Sequence, residues 1–392
     1  MISVKEAKQL INDHTTALEP LKTEVKNACG HILAANVYGI CNIPLFRQSS
    51  MDGFALKFED QKKELQLIGE MAAGTTSELT IKNSETCRIF TGAPIPIGAD
   101  TVVMQEKTKL VNRTVLLNDP SLKLGANIRD IGTEIKTGAL AMSEGDLLSP
   151  AAIGFLSGIG ITEVLTYPIP KIAIIVTGNE LQQPGKALNF GQVYESNSYA
   201  LIAALRQEGI NETSIFYTDD HLETLTDTLK NTLNLADMIL LTGGVSVGDY
   251  DFVVEASKNC GIEQIFHKVK QKPGKPLFFG KKGRQVIFGL PGNPSSVLSC
   301  YYNYVYPCIK LLSNNKDSIT QIQATLTHTY TKPSGLSHFL KGFYNDGKVS
   351  ALSAQESFRL SSFAQANCLI CLTEEQENIL SGSTVKIILL PQ

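Results

Sequence analysis

From Lys171 to about residue 312 the chain alternates short apolar runs with helix-patterned segments, and this alternation restricts the fold more than any other feature. KIAIIVTG (171–178) reads as a buried strand, 197–208 as a helix that stops at Gly209, SIFYT as a strand, 221–235 as a helix, and DMILLTGG (237–244) as a strand. A helix near 250–259, strands near 264–270 and at QVIFG (285–289), and a helix from Pro294 to about 312 complete the series. Strands this apolar need cover on both faces, and the intervening helices supply it. The expectation for 171–312 is a doubly wound, mostly parallel α/β domain.

Three segments of this domain share one design, a strand that ends in a Gly-rich turn: VTGNEL (176–181), LTGGVSVGDYD (241–251) and GLPGNPSS (289–296). In a parallel sheet such turns gather at the carboxyl ends of the strands, where ligands bind. Glycine lets the backbone approach a ligand, and N–H groups at helix starts favour anions. An oxyanion or phosphate site is therefore expected, with Gly243, Gly244, Ser246, Pro291, Gly292, Asn293 and Pro294 on its walls. Gly243 and Gly248 have the spacing of a Walker A loop, but Asp249-Tyr250 follows where Lys and Ser/Thr are required, which excludes a P-loop NTPase. No GxGxxG follows a strand, so dinucleotide chemistry lacks support.

Glu180, Asp219, Asp220, Asp249 and Asp251 crowd the same turns. Acids beside an anion repel it unless a cation lies between, and Mg²⁺ with oxygen ligands is the natural bridge. The competing reading is that the aspartates are helix N-caps. Positive charge arrives from Lys268-Val-Lys270-Gln-Lys272-Pro-Gly-Lys275-Pro276. The Pro-Gly-Lys-Pro core is stiff, which suits a lysine that grips an oxyanion as a point charge.

Elsewhere the texture changes. Residues 3–16 read as a helix opened by Ser3 and Glu6, and about 30–170 as short β runs around one helix after Ser149-Pro150. TYPIPK (166–171) marks a boundary, and after SNNKDS (313–318) the chain returns to β alternation as a small separate domain. PLFRQSSMDGFAL (44–56) and IFTGAPIPIGAD (89–100) fit either bare turns or functional loops. Thirty-five basic residues against 38 acidic ones leave no positive footprint for nucleic acid. With no apolar run long enough for a bilayer and no h-region in MISVKEAKQLINDH, a soluble, cytoplasmic protein is expected. Eight scattered cysteines include Cys368-Leu-Ile-Cys371, which reads as buried structural thiols in an apolar strand.

Taken together, SSMDGFA, FTGAPIPIGADTVVMQE, GANIRDIGTEI, IVTGNEL, TGGVSVGDYD, KPGKP, GLPGNP and SSFAQANC resemble the molybdopterin molybdenumtransferase family (MoeA, and the E domain of gephyrin-like proteins), in the family's order along nearly the whole chain. The resemblance implies a MogA/MoaB-like α/β domain with β-rich N-terminal domains and a C-terminal β-barrel-like domain. Their expected bounds are 1–40 with 131–170, an inserted 41–130, then 171–312 and 313–392. It implies a homodimer with a cleft shared between subunits, and a reaction in which molybdate and adenylylated molybdopterin, assisted by Mg²⁺, give molybdenum on the dithiolene and free AMP. Molybdopterin adenylyltransferase and molybdoenzyme-specific chaperones are the implied partners.

Carried over by position, Asp52 and Thr91 match functional residues of the N-terminal half, and Glu180, Asp220 and Asp251 match catalytic and metal-binding positions of the α/β domain. Lys272, Lys275 and Pro276 match the oxyanion turn, and Ser362 falls near a serine implicated there. Two departures stand out: Glu134 where an aspartate is common, and Lys341 where an arginine is common, which loses bidentate recognition but keeps the charge. No histidine lies in the turns, so catalysis by positioning and electrostatics is expected. Two other readings are an adenylyltransferase, whose turn usually reads GGTG rather than the GGVSVG present here, and a non-catalytic scaffold, for which the chain lacks a long disordered linker.

Overall fold

Every residue of the strand Ile172–Thr177 (β1) is buried, as a central strand covered on both faces must be. The computed structural model describes residues 1–244, 252–316 and 319–391, so the expectations for Ser246, Asp249 and Asp251 lie outside the described residues. The chain divides into one unit of Met1–Leu21, Gly30–Ala34 and Leu165–Gln392, and another of Lys22–Cys29 and Ala35–Val164.

In the first unit, β1 belongs to a six-stranded sheet with Thr213–Thr218 (β2), Met238–Thr242 (β3), Glu263–His267 (β4), Phe278–Lys282 (β5) and Gln285–Leu290 (β6). Its order is β2–β1–β3–β6–β5–β4. The pairs β1/β2, β1/β3 and β3/β6 are parallel, whereas β5 runs antiparallel to both β6 and β4. β5 was not anticipated. Its PLFFG run follows the KPGKP turn directly and carries no turn residue of its own to separate the two.

Alternate residues of β1 enter different cores. Ile172, Ile174 and Val176 pack with Leu201 and Leu205 of the helix Asn197–Gln207 and with Tyr301 and Val305 of the helical run Pro294–Leu312. Ala173 and Ile175 pack with Leu225 and Leu229 of Leu222–Leu233 and with Val253 and Ala256 of Phe252–Asn259. A one-residue slip would exchange the two cores, and at about 1.5–3 kcal/mol per buried side chain the register is strongly set. The run Pro294–Leu312 is not uniform, because Tyr301–Val305 forms a π-helical stretch within it. The first helix spans Val4–His14, with Ser3 Oγ accepting from Glu6 N at 3.1 Å.

The C-terminal strands Gln321–Leu326 (β7), Ser337–Asn345 (β8), Lys348–Ala351 (β9), Cys368–Leu372 (β10) and Thr384–Leu389 (β11) close into a five-stranded barrel, β8–β9–β7–β11–β10 and back to β8. Cys368 lies in the barrel core, while Cys371, three residues on, faces the α/β core. The two thiols therefore point to opposite sides of the strand, and burial pushes them up to about 12 and about 11 respectively.

The second unit centres on a six-stranded sheet in which Gly53–Leu56 lies between Thr101–Met104 and Glu85–Ile89. Ala55 and Val102 feed one core, Phe54 and Val103 the other. The helix Pro150–Gly158 starts as expected, with Ser149 Oγ accepting from Ala152 N at 3.2 Å. Among the described residues no helix is long and apolar enough to cross a membrane.

Candidate active site

Chain order reverses between β1 and β3: the connection from β1 runs out to β2, and the next returns to the other side of β1. Ligands in such sheets bind outside the carboxyl ends at this point. A cleft of about 910 Å³ opens there, and all three Gly-rich turns line it, through Thr177, Gly178 and Glu180, through Gly243 and Gly244, and through Pro291, Gly292, Asn293 and Pro294. Gly243 is required by geometry: at φ +87° a Cβ would lie 2.1 Å from the Thr177 carbonyl oxygen.

Glu180 and Asp220 both line the cleft. Thr177 Oγ1 donates to Asp220 Oδ1 at 3.3 Å, which ties the end of β1 to the turn after β2. Asp220 is not the cap of the following helix. His221 holds that position, and no side chain caps it. The opposing charge comes from Lys272 and Lys275, which line the same cleft with Pro273, Gly274 and Pro276. Both lysines are exposed, and among the described residues neither is ion-paired.

The helix starts are less open than the sequence suggests. At Pro294 the N–H of Ser295 is bonded to the Ser357 carbonyl at 3.0 Å, and those of Ser296 and Val297 to Asn293 O. At Asn197 the buried Glu195 carboxylate accepts from Ser198 N at 2.8 Å and Ser198 Oγ at 2.6 Å. These N–H groups are already satisfied, so among the described residues the lysine turn is the main anion-attracting feature.

Sequence reasoning missed several lining residues. Asn197 donates through Nδ2 to the Gly292 carbonyl at 2.9 Å, and its buried Oδ1 has no partner among the described residues. Gln355, Ser357 and Phe358 reach the cleft from a barrel loop, and Asn293 Nδ2 donates to Ser357 Oγ at 2.8 Å. The only local signal was Glu-Ser-Asn-Ser (195–198), a carboxylate before a helix start; the barrel loop carries none.

Lys341 and Ser362 do not line the cleft. Lys341 is 2% exposed and its Nζ donates to the carbonyls of Ala354, Glu356 and Arg359 at 2.7, 3.3 and 3.0 Å. Ser362 Oγ donates to the Ala354 carbonyl at 2.7 Å. These side chains hold the loop that carries Gln355, Ser357 and Phe358.

Asp52 and Thr91 belong to the other unit and form their own pair. Asp52 Oδ1 accepts from Thr91 N at 2.8 Å and Thr91 Oγ1 at 2.9 Å, and these bonds hold the carboxyl below its ordinary range. The turn and loop carrying them are bonded further by Gly92 N to Ser49 O at 2.8 Å. Glu134 lines a separate cavity of about 590 Å³ with Arg129.

Three family models match the chain: the MoeA N-terminal region (domain I and II) over residues 2–160, a probable molybdopterin binding domain over 173–311, and the MoeA C-terminal region (domain IV) over 323–390. A molybdopterin molybdenumtransferase of Staphylococcus aureus is 32% identical over 99% of this chain and 95% of its own length. One from Haemophilus influenzae is 33% identical over 94% of each. The crystal structure of a molybdopterin biosynthesis MoeA protein from Pyrococcus horikoshii superimposes with a TM-score of 0.82 at 26% identity, covering 99% of both chains.

Proposed function

As a member of the molybdopterin molybdenumtransferase family, the chain is an enzyme of molybdenum cofactor biosynthesis; on that premise we propose that its cleft brings molybdate and adenylylated molybdopterin together and releases AMP as molybdenum passes to the dithiolene. What supports the reading is that two lysines on one stiff turn and two carboxylates line a single cleft.

Molybdate is a tetrahedral dianion, and Lys272 and Lys275 meet it as point charges, with Pro276 fixing the end of the turn. The Gly243-Gly244 and Pro291–Pro294 turns bring backbone against the pterin and phosphate portions, with Ser246 on the former. Lys341 and Ser362 act through the loop they hold.

The carboxylates fit Mg²⁺, which binds through one or two carboxylates plus substrate phosphates and water rather than an all-protein cage. Glu180 and Asp220 would hold it, with Asp251 as a third candidate. When bound, the ion neutralises charge on the phosphate linkage and on the departing AMP. The protein's own contribution is to hold the two anionic substrates in reach despite their mutual repulsion. We further propose a cytoplasmic homodimer in which Asp52 and Thr91 come from the second subunit, four domains with the bounds given above, and contacts with the adenylyltransferase and cofactor chaperones.

The test is to incubate the purified protein with adenylylated molybdopterin, Mg²⁺ and molybdate, and to measure AMP and pterin-bound molybdenum. Both should rise together. AMP release no faster than without protein would overturn the reading.

A further inference from the structure

Gln271, immediately before the lysine turn, is 1% exposed. Its amide is fully engaged. Nε2 donates to the Gly274 carbonyl at 2.8 Å and reaches Cys300 Sγ at 3.5 Å, and Oε1 accepts from the Tyr304 hydroxyl. Tyr304, also 1% exposed, lies in the π-helical stretch Tyr301–Val305, a kind of local irregularity often found at functional sites. Gly274 has φ +83°, and a Cβ there would lie 2.5 Å from Cys300 Sγ, so the turn sits directly on this helix. At its edges the turn is bonded by Val269 N to Lys275 O at 2.9 Å and by pairing of Gln271–Lys272 with Ser337–His338.

We propose that Gln271 and Tyr304 are positioning residues for the oxyanion: a buried strut that fixes Gly274 and so sets where Lys272 and Lys275 point. The inference rests on the reading that this turn holds molybdate. Two exposed lysines on a loose turn would spend part of their contact energy on ordering themselves and the backbone between them. A turn already fixed from below has that ordering done. The strut is neutral, dry and short in reach, so loss of one partner leaves the other buried and unsatisfied, and the remaining amide is free to turn.

The test is calorimetric titration with molybdate alone, together with KM for molybdate and kcat. Tyr304→Phe, which keeps the ring, should weaken molybdate binding about fivefold, and Gln271→Met, which also removes the Gly274 bond, by more. KM should rise in parallel, while kcat at saturating molybdate stays within about twofold. Ile239→Val, a destabilising change on the other face of the sheet, controls for stability and should leave molybdate affinity unaltered. Wild-type affinity in both strut variants, or an equal loss in Ile239→Val, would overturn the proposal. Lys275→Ala separates the two levels. If it weakens binding and the strut variants do not, only the strut fails; if it too binds normally, the molybdate reading of the turn falls and the strut falls with it.

Discussion

The Nζ of Lys341 lies 2.7 Å from the carbonyl oxygen of Ala354, a residue held at φ +57°. From the sequence resemblance alone, a cation in contact with the oxyanion is expected at this position. Here the ammonium instead supports the loop that brings Gln355, Ser357 and Phe358 to the cleft, and burial pushes its pKa down.

Lys341→Met should therefore cost stability before it costs chemistry. Three loop carbonyls lose a charged donor, worth about 1–3 kcal/mol in total effect. Scanning calorimetry should show a lower Tm. Lys341→Arg should not restore it, because a planar fork does not fill a point-charge site. A wild-type Tm in Lys341→Met would mean the ammonium is dispensable.

Stability should also decline on mild acidification. Burial, with Lys332 and Lys272 nearby, pushes His338 down to about 4. An unfolded histidine protonates near 6.5, so as pH falls from about 6.5 to about 4 the unfolded state binds the proton first and the fold loses up to roughly 3 kcal/mol. The loss should level off below about 4, once the folded state protonates too. Denaturant titrations across this range should show the decline, and His338→Gln should flatten it. An unchanged slope in the variant would assign the acid sensitivity elsewhere.

A dimer with shared clefts predicts complementation. Asp52→Ala and Glu180→Ala should each be inactive alone. Mixed heterodimers should recover AMP release through the one cleft that has both residues. Absence of recovery in proven heterodimers would place both residues in the same chain's site.

The α/β core was legible because β1 and β3 are apolar at every position up to a final threonine, and each ends in a Gly-rich turn. Such runs leave few alternatives to a buried parallel strand. Phe278–Lys282 was hidden because its apolar run abuts the lysine turn, and the antiparallel edge went unseen with it. Among the cleft-lining residues, Glu180, Lys272 and Lys275 stood out because charge in a Gly/Pro-rich turn is unusual and local, and Asp220 because it ends the segment after a strand. Gln271 and Tyr304 are 33 residues apart and sit among ordinary core side chains, so no local pattern marks them. The burial of Lys341 is equally hidden, because a lysine at a matching position reads as an exposed ligand in the sequence alone.

In the proposed mechanism the cleft's carboxylates, Glu180 and Asp220, draw in a cation beside the two lysines. Glu180→Gln and Asp220→Asn keep shape and remove charge. The measurement is the Mg²⁺ dependence of AMP release in these two variants beside the wild type. Both should melt close to the wild-type temperature, release AMP slowly at low Mg²⁺ and recover in part at high Mg²⁺. Full activity at low Mg²⁺ in both variants, or loss explained by unfolding, would make the carboxylates architectural and contradict the account.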